Sequence, residues 1–137
     1  MDKKDNVILG VLKANSRQSV RDIAKRTKLR PSTVHNRIKK LTDEGIIRNF
    51  TIRVDNEKTG KNFVVYVLVK TIRNIPNSFF NQEDIEETYG ITGGYDLILK
   101  CRFNGIEDFN KFILKLREID GVTETLTMIG TVKLKET

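Results

Sequence analysis

Two hydrophobic periods divide this chain. Up to about residue 45 the apolar positions recur at three- and four-residue spacing, and from residue 62 the pattern changes mostly to that of strands. Val7, Ile8, Val11 and Leu12 predict a first helix, capped by Asp2 or Asp5 and ended by the polar stretch Asn15-Ser16-Arg17. Val20, Ile23 and Ala24 predict a second, with Ser19 as N-cap and Asp22 three residues on as its capping-box-like partner. Val34, Ile38 and Leu41 predict a third, with Pro31 in its first turn, where a missing N–H is no loss. Gly45 supplies its C-terminal stop. The stretch Ile46 to Val54 alternates and is rich in β-branched residues, so it reads as a strand: either the wing of a winged helix, with Arg48 and Arg53 toward phosphates, or a linker.

The remainder predicts a sheet. Phe63, Val65, Val67 and Val69 point one way and Val64, Tyr66 and Leu68 the other, so both faces of this strand need cover. After Pro76-Asn77-Ser78 comes a weaker strand through Ile85, Tyr89 and Ile91, then the loop Thr92-Gly93-Gly94. Tyr95, Leu97, Leu99, Cys101 and Phe103 form one face of a strong strand. Asn104-Gly105 opens a helix striped by Ile106, Phe109, Phe112, Ile113 and Leu116, and Gly121 ends it. Residues 122–134 predict the last strand, with Leu126, Met128, Val132 and Leu134 on one face. The expectation is an α+β chain: a helix-turn-helix unit over 1–48, a strand or linker over 49–61, and a ferredoxin-like βαββαβ unit over 62–137 whose first helix is short. One good helix cannot cover both faces of four strands, so a second copy of the sheet is the expected partner.

Charge then changes the picture. Residues 1–55 hold 14 Lys and Arg against 6 Asp and Glu, residues 56–137 hold 11 against 12, and the whole chain carries +7. All the positive excess therefore lies with the helix-turn-helix, the electrostatic footprint of a nucleic-acid binder. With Val34, Ile38 and Leu41 turned inward, the third helix presents Ser32, Thr33, His35, Asn36, Arg37, Lys39 and Lys40, flanked by Arg30 and Arg48. Hydroxyls, an amide and cations suit base edges and phosphates in a major groove, with Ser32, Thr33 and Asn36 toward bases and Arg37, Lys39 and Lys40 toward the backbone. Paired helix-turn-helix units reach half-sites ~34–36 Å apart, so double-stranded DNA also asks for a dimer.

Several classes fall away. The longest apolar run, Phe63 to Val69, is seven residues, far short of a membrane span. The opening MDKKDN has no apolar h-region, and the single Cys101 fits a reducing cytoplasm. His35 has no second ligand, so neither a metal nor any other cofactor is expected. Cys101 reads as a small buried strand residue.

Taken together these motifs resemble the Lrp/AsnC (leucine-responsive, feast/famine) family, from Asp5 to about Lys135. The resemblance rests on the opening helix Asp5 to Leu12, the turn Leu29-Arg30-Pro31-Ser32-Thr33-Val34, the exit Leu41 to Ile47, and the loop Thr92-Gly93-Gly94-Tyr95-Asp96-Leu97. It implies a prokaryotic or archaeal transcription regulator: a winged helix-turn-helix joined to an effector-sensing ferredoxin-like domain, working as dimers that assemble further into tetramers or octamers. Its partners would be promoter or operator DNA, its own copies, the basal transcription machinery, and a free amino acid held by the loop matching Thr92, Gly93, Gly94, Tyr95 and Asp96. Two departures stand out. Pro76 to Gln82 leaves room for about two turns where the family has a full helix, and Arg30 replaces a capping residue. Gly93-Gly94 is equally explained as a tight turn without ligand. Rival functions are a chromatin-like protein without sequence preference and, less in keeping with a neutral C-terminal half whose only histidine lies elsewhere, a tetrapyrrole decarboxylase-like enzyme.

Overall fold

The computed structural model describes residues 1–136. The chain forms two compact units, Met1–Arg53 and Val54–Thr137.

The first unit is three helices, α1 (Lys3–Ala14), α2 (Val20–Thr27) and α3 (Pro31–Asp43). Local chemistry sets each boundary. Asp2 is the N-cap of α1 in a full capping box with Asp5, the Ser19 hydroxyl accepts from the Asp22 amide at the start of α2, and Pro31 opens α3. Ile8, Leu12, Ile23, Ala24 and Val34 form the core, with Val11, Val20, Leu29, Ile38 and Ile47 packed around it. α3 stops where Gly45 adopts φ +75°, a left-handed conformation that costs glycine least. The chain then folds back, and the amides of Ile46 and Ile47 both donate to the Leu41 carbonyl at 2.9 and 3.0 Å.

That fold-back overturns the strand expected over Ile46 to Val54. Ile47 tucks against the helices, and residues 48–54 run on with Phe50 and Ile52 exposed and no strand beside them. A strand exists only where a neighbour completes its hydrogen bonds, and this segment has none here.

The second unit opens with a four-residue helix, α4 (Asn56–Thr59), then β1 (Phe63–Thr71), a 3₁₀ turn (Asn77–Asn81), β2 (Ile85–Gly90), β3 (Leu97–Phe103), α5 (Ile106–Arg117) and β4 (Val122–Ile129). The strands lie in the order β2-β3-β1-β4, all antiparallel, which is the ferredoxin-like arrangement. Val65, Val67, Val69, Leu99, Cys101 and Phe103 are fully buried beneath Phe112, Ile113 and Leu116 of α5. The short first helix is a five-residue 3₁₀ segment, and its Phe79 joins an aromatic cluster with β3 and α5. Phe79 packs on Phe112 with ring centroids 5.6 Å apart, and Phe103 on Phe112 and Phe109 at 5.3 and 5.8 Å.

Three expectations need correction. β3 begins at Leu97, leaving Tyr95 outside the strand. Ile106 is 65% exposed and belongs to no stripe, because it stands at the first turn of α5 beyond the edge of the core. β4 ends at Ile129, not residue 134: its last register pair is Val65–Ile129 and its last bond runs from the Gly130 amide to the Val64 carbonyl, after which the described residues leave the β1 edge and find no other strand to complete a ladder.

Candidate DNA-binding face and effector hollow

α3 carries its chemistry as its apolar spacing requires. Val34 and Leu41 are buried and Ile38 half-buried, which leaves Ser32, His35, Asn36, Lys39 and Lys40 exposed and Thr33 half-buried. Arg30 is the N-cap residue, and its side chain makes no capping bond, so its charge stands free of that task beside the helix N-terminus. Arg48 is exposed beyond the fold-back. Lys39 pairs with Asp43 at 3.1 Å and Lys40 with Glu44 at 3.9 Å, exposed i,i+4 contacts that a phosphate readily replaces. A cationic rim escaped the sequence reading: Arg17, Lys25 and Arg26, with Asn15, Gln18 and Asp22, line an open hollow of about 600 Å³ along α2. The charge count located this positive excess in the first unit without assigning it to a surface.

Arg37 departs from the expectation of an outward-reaching phosphate contact. Its Nη1 lies 2.6 Å from an Asp2 carboxylate oxygen and 3.1 Å from one of Asp5. The Arg37 bond and the capping amides hold the Asp2 carboxyl down to about 2.

In the second unit, the glycine loop divides its residues. Gly93 has φ +108°, so a tight turn is what that glycine supplies. The Tyr95 hydroxyl donates to Glu124 at 3.1 Å, and partial desolvation together with that carboxylate pushes the phenol above its ordinary value. Asp96 stitches strands: its carboxylate accepts from the Thr71 amide at 2.8 Å and its amide donates to the Val69 carbonyl at 2.9 Å. Of Thr92, Gly93, Gly94, Tyr95 and Asp96, only Asp96 lines the neighbouring hollow of about 680 Å³. Its other walls are Thr71, Asn74, Ile75, Pro76, Asn77, Phe80 and Leu97. The sequence marked Pro76-Asn77-Ser78 as a break and missed that Asn77 lines this space, since nothing local links residue 77 to residue 96. Cys101 is buried, and desolvation pushes its thiol up to about 12, the state of an inert core residue.

Comparison with known proteins decides what these two units are. Residues 1–48 match winged helix-turn-helix DNA-binding domains, and residues 65–137 match the Lrp/AsnC ligand binding domain. The chain is 36% identical to the HTH-type transcriptional regulator FL11 of Pyrococcus abyssi, across 100% of this chain and 93% of that one. The chain belongs to the Lrp/AsnC family. Its fold matches a transcriptional regulator from Neisseria meningitidis solved as an L-Met complex, with a TM-score of 0.91, 26% identity, and coverage of 100% and 94% of the two chains. It also matches LrpC of B. subtilis, with a TM-score of 0.88, 27% identity, and coverage of 100% and 99%. This Lrp/AsnC protein is a DNA-binding transcription regulator. None of its helices among the described residues is long and apolar enough to cross a membrane.

Proposed function

We propose that this regulator recognises a particular double-stranded operator through α3, as a dimer formed on the open face of its sheet, in the cytoplasm and without enzymatic activity. The observation that carries the proposal is the exposed row Ser32, Asn36, Lys39 and Lys40, backed by a buried Val34 and Leu41. Base-reading chemistry sits toward the helix N-terminus and cations toward its C-terminal half, which is the division a recognition helix needs. Higher assembly and contact with the basal transcription machinery follow from binding at a promoter.

Selection of bound fragments from a random DNA pool tests the operator directly. On the selected site, Asn36→Ala costs ~1–3 kcal/mol and leaves random-DNA affinity nearly unchanged, because an amide pairing bidentately with adenine has no role on other sequences. Lys40→Ala weakens both DNAs alike and lowers the salt slope by about one per protomer. A pool that yields no common sequence supports the chromatin-like alternative.

We also propose that the hollow by Asp96 holds an amino acid. Two amides and a hydroxyl beside Ile75, Phe80 and Leu97 offer both polar and apolar contacts, the mixture a small zwitterion with a side chain needs. The L-Met complex of the Neisseria regulator supports that class of ligand. A ligand at 100 times its Kd adds about 2.7 kcal/mol to the folded state, so one of the twenty amino acids raises the melting temperature of the wild type. Asn77→Ala removes that rise. Asp96→Ala is the poorer probe, since it also strips the Thr71 amide of its acceptor. If no amino acid shifts the melting curve, the hollow is not an effector site.

A further inference from the structure

We propose that Arg37 is a positioning residue, tied to the acidic capping box of α1 so that it aims the recognition helix and stays off the DNA backbone. The tie uses every carboxylate oxygen of that box. Asp2 Oδ1 accepts from the Asp5 amide at 3.0 Å while Asp2 Oδ2 takes Arg37 Nη1 at 2.6 Å. Asp5 Oδ2 accepts from the Asp2 amide at 3.0 Å while Asp5 Oδ1 takes the same Nη1 at 3.1 Å. One pair of side chains thus caps α1 and clamps α3, across 35 and 32 residues of sequence.

Burial makes the clamp hard to trade for a phosphate. Asp5 is only 6% exposed, and three-quarters of the Arg37 side chain is covered. Pulling Arg37 out toward DNA would leave the Asp5 carboxylate buried without its counter-ion, a penalty that a solvent-exposed phosphate contact does not repay. The clamp also falls at the middle of α3, next to Asn36. A helix seated by Val34, Ile38 and Leu41 and tied at its centre by an ion pair is restricted in how it presents that amide. Sequence-specific contact depends on such preorganisation, whereas phosphate attraction does not.

The role rests on α3 reading an operator, and its test separates the two ideas. Full-length wild type, Arg37→Gln and the double variant Asp2→Asn/Asp5→Asn are titrated with selected and random DNA over a range of salt. Asparagine keeps one oxygen for each capping amide and puts an NH2 group where Arg37 finds its acceptor, so the caps stay while the ion pair is lost, and melting curves confirm that each variant is folded. Removing two negative charges beside a polyanion should by electrostatics alone tighten binding. The clamp predicts the opposite sign on the operator: the double variant loses about tenfold there, while random-DNA affinity holds or rises and the salt slope steepens by about one as Arg37 is released. Arg37→Gln loses a similar factor on the operator with no change of slope. If Arg37→Gln lowers the slope by about one and the double variant binds the operator as well as wild type, Arg37 is a phosphate contact and the proposal is overturned. Equal losses on both DNAs with an unchanged slope indicate a role in stability alone and also overturn it. A wild type that does not distinguish the two DNAs removes the operator itself, and the aiming role with it.

Discussion

On the dimer proposed above, Tyr66→Glu yields a folded monomer and lowers operator affinity by about 10²–10⁴-fold, the factor lost when two linked binding modules act singly. The inner face of β1 is spoken for, since Val65, Val67 and Val69 are fully buried under α5. The outer face is not. Val64, Tyr66 and Leu68 stand there only half-covered, with Met128 opposite Tyr66 and Leu126 opposite Leu68 on β4. Leu126 and Met128 are 44% and 47% exposed. A contiguous apolar strip on the middle of a sheet marks an interaction surface, and a second copy related by a two-fold axis presents the same strip in return. A carboxylate placed in that contact must give up its water, and the cation opposite it on β3, Lys100, is already paired with Glu86 at 3.5 Å, so the desolvation costs more than the interface can return. Sedimentation velocity and operator titration of the same sample read both effects, and a Tyr66→Glu protein that stays dimeric with wild-type affinity removes this face as the interface. Val65→Glu is no substitute: it points into the core and unfolds the unit instead.

Phe103→Ala destabilises the sheet unit by ~3–5 kcal/mol, the usual cost of removing a buried ring that its neighbours cannot replace. The ring is fully buried where β3 meets α5, within 5.3 Å of Phe112 and 5.8 Å of Phe109. Phe79 and Phe80 of the 3₁₀ turn pack against this same core, with Phe79 on Phe112 at 5.6 Å. Each kcal/mol moves the midpoint of so small a unit by ~4–8 °C, so its transition falls by more than about 10 °C. The core of α1, α2 and α3 is built from its own residues, and resonances of Ile8, Ile23 and Val34 keep their native dispersion after the sheet has melted. Leu114→Ala, half-exposed on the same helix, changes stability by less than ~0.5 kcal/mol. A Phe103→Ala unit that melts within a few degrees of wild type would mean that the surrounding rings close over the gap.

What could be read from the chain alone was whatever neighbouring residues decide among themselves. Ser19 finds Asp22 three positions on, Pro31 and Gly45 bracket α3, and the unbroken β-branched and aromatic run from Phe63 to Val69 favours a strand. The same holds for the face of α3, because helical spacing that buries Val34 and Leu41 must expose Ser32 and Asn36. What escaped depended on partners far away in sequence. Ile46 to Val54 has the composition of a strand, yet Ile47 is taken by the helical core and among the described residues no strand pairs with the rest. β4 stops at Ile129 because its pairing with β1 ends there, not because Val132 or Leu134 are poor strand formers. The Asp96 carboxylate is occupied by an amide 25 residues away, and Arg37 by two acids at the far end of the first unit. Periodicity and caps are local energies written into adjacent residues. Ion pairs, strand ends and the walls of a hollow are settled only when the chain closes on itself, since a cation or an unpaired strand is satisfied by whichever group the fold brings within reach.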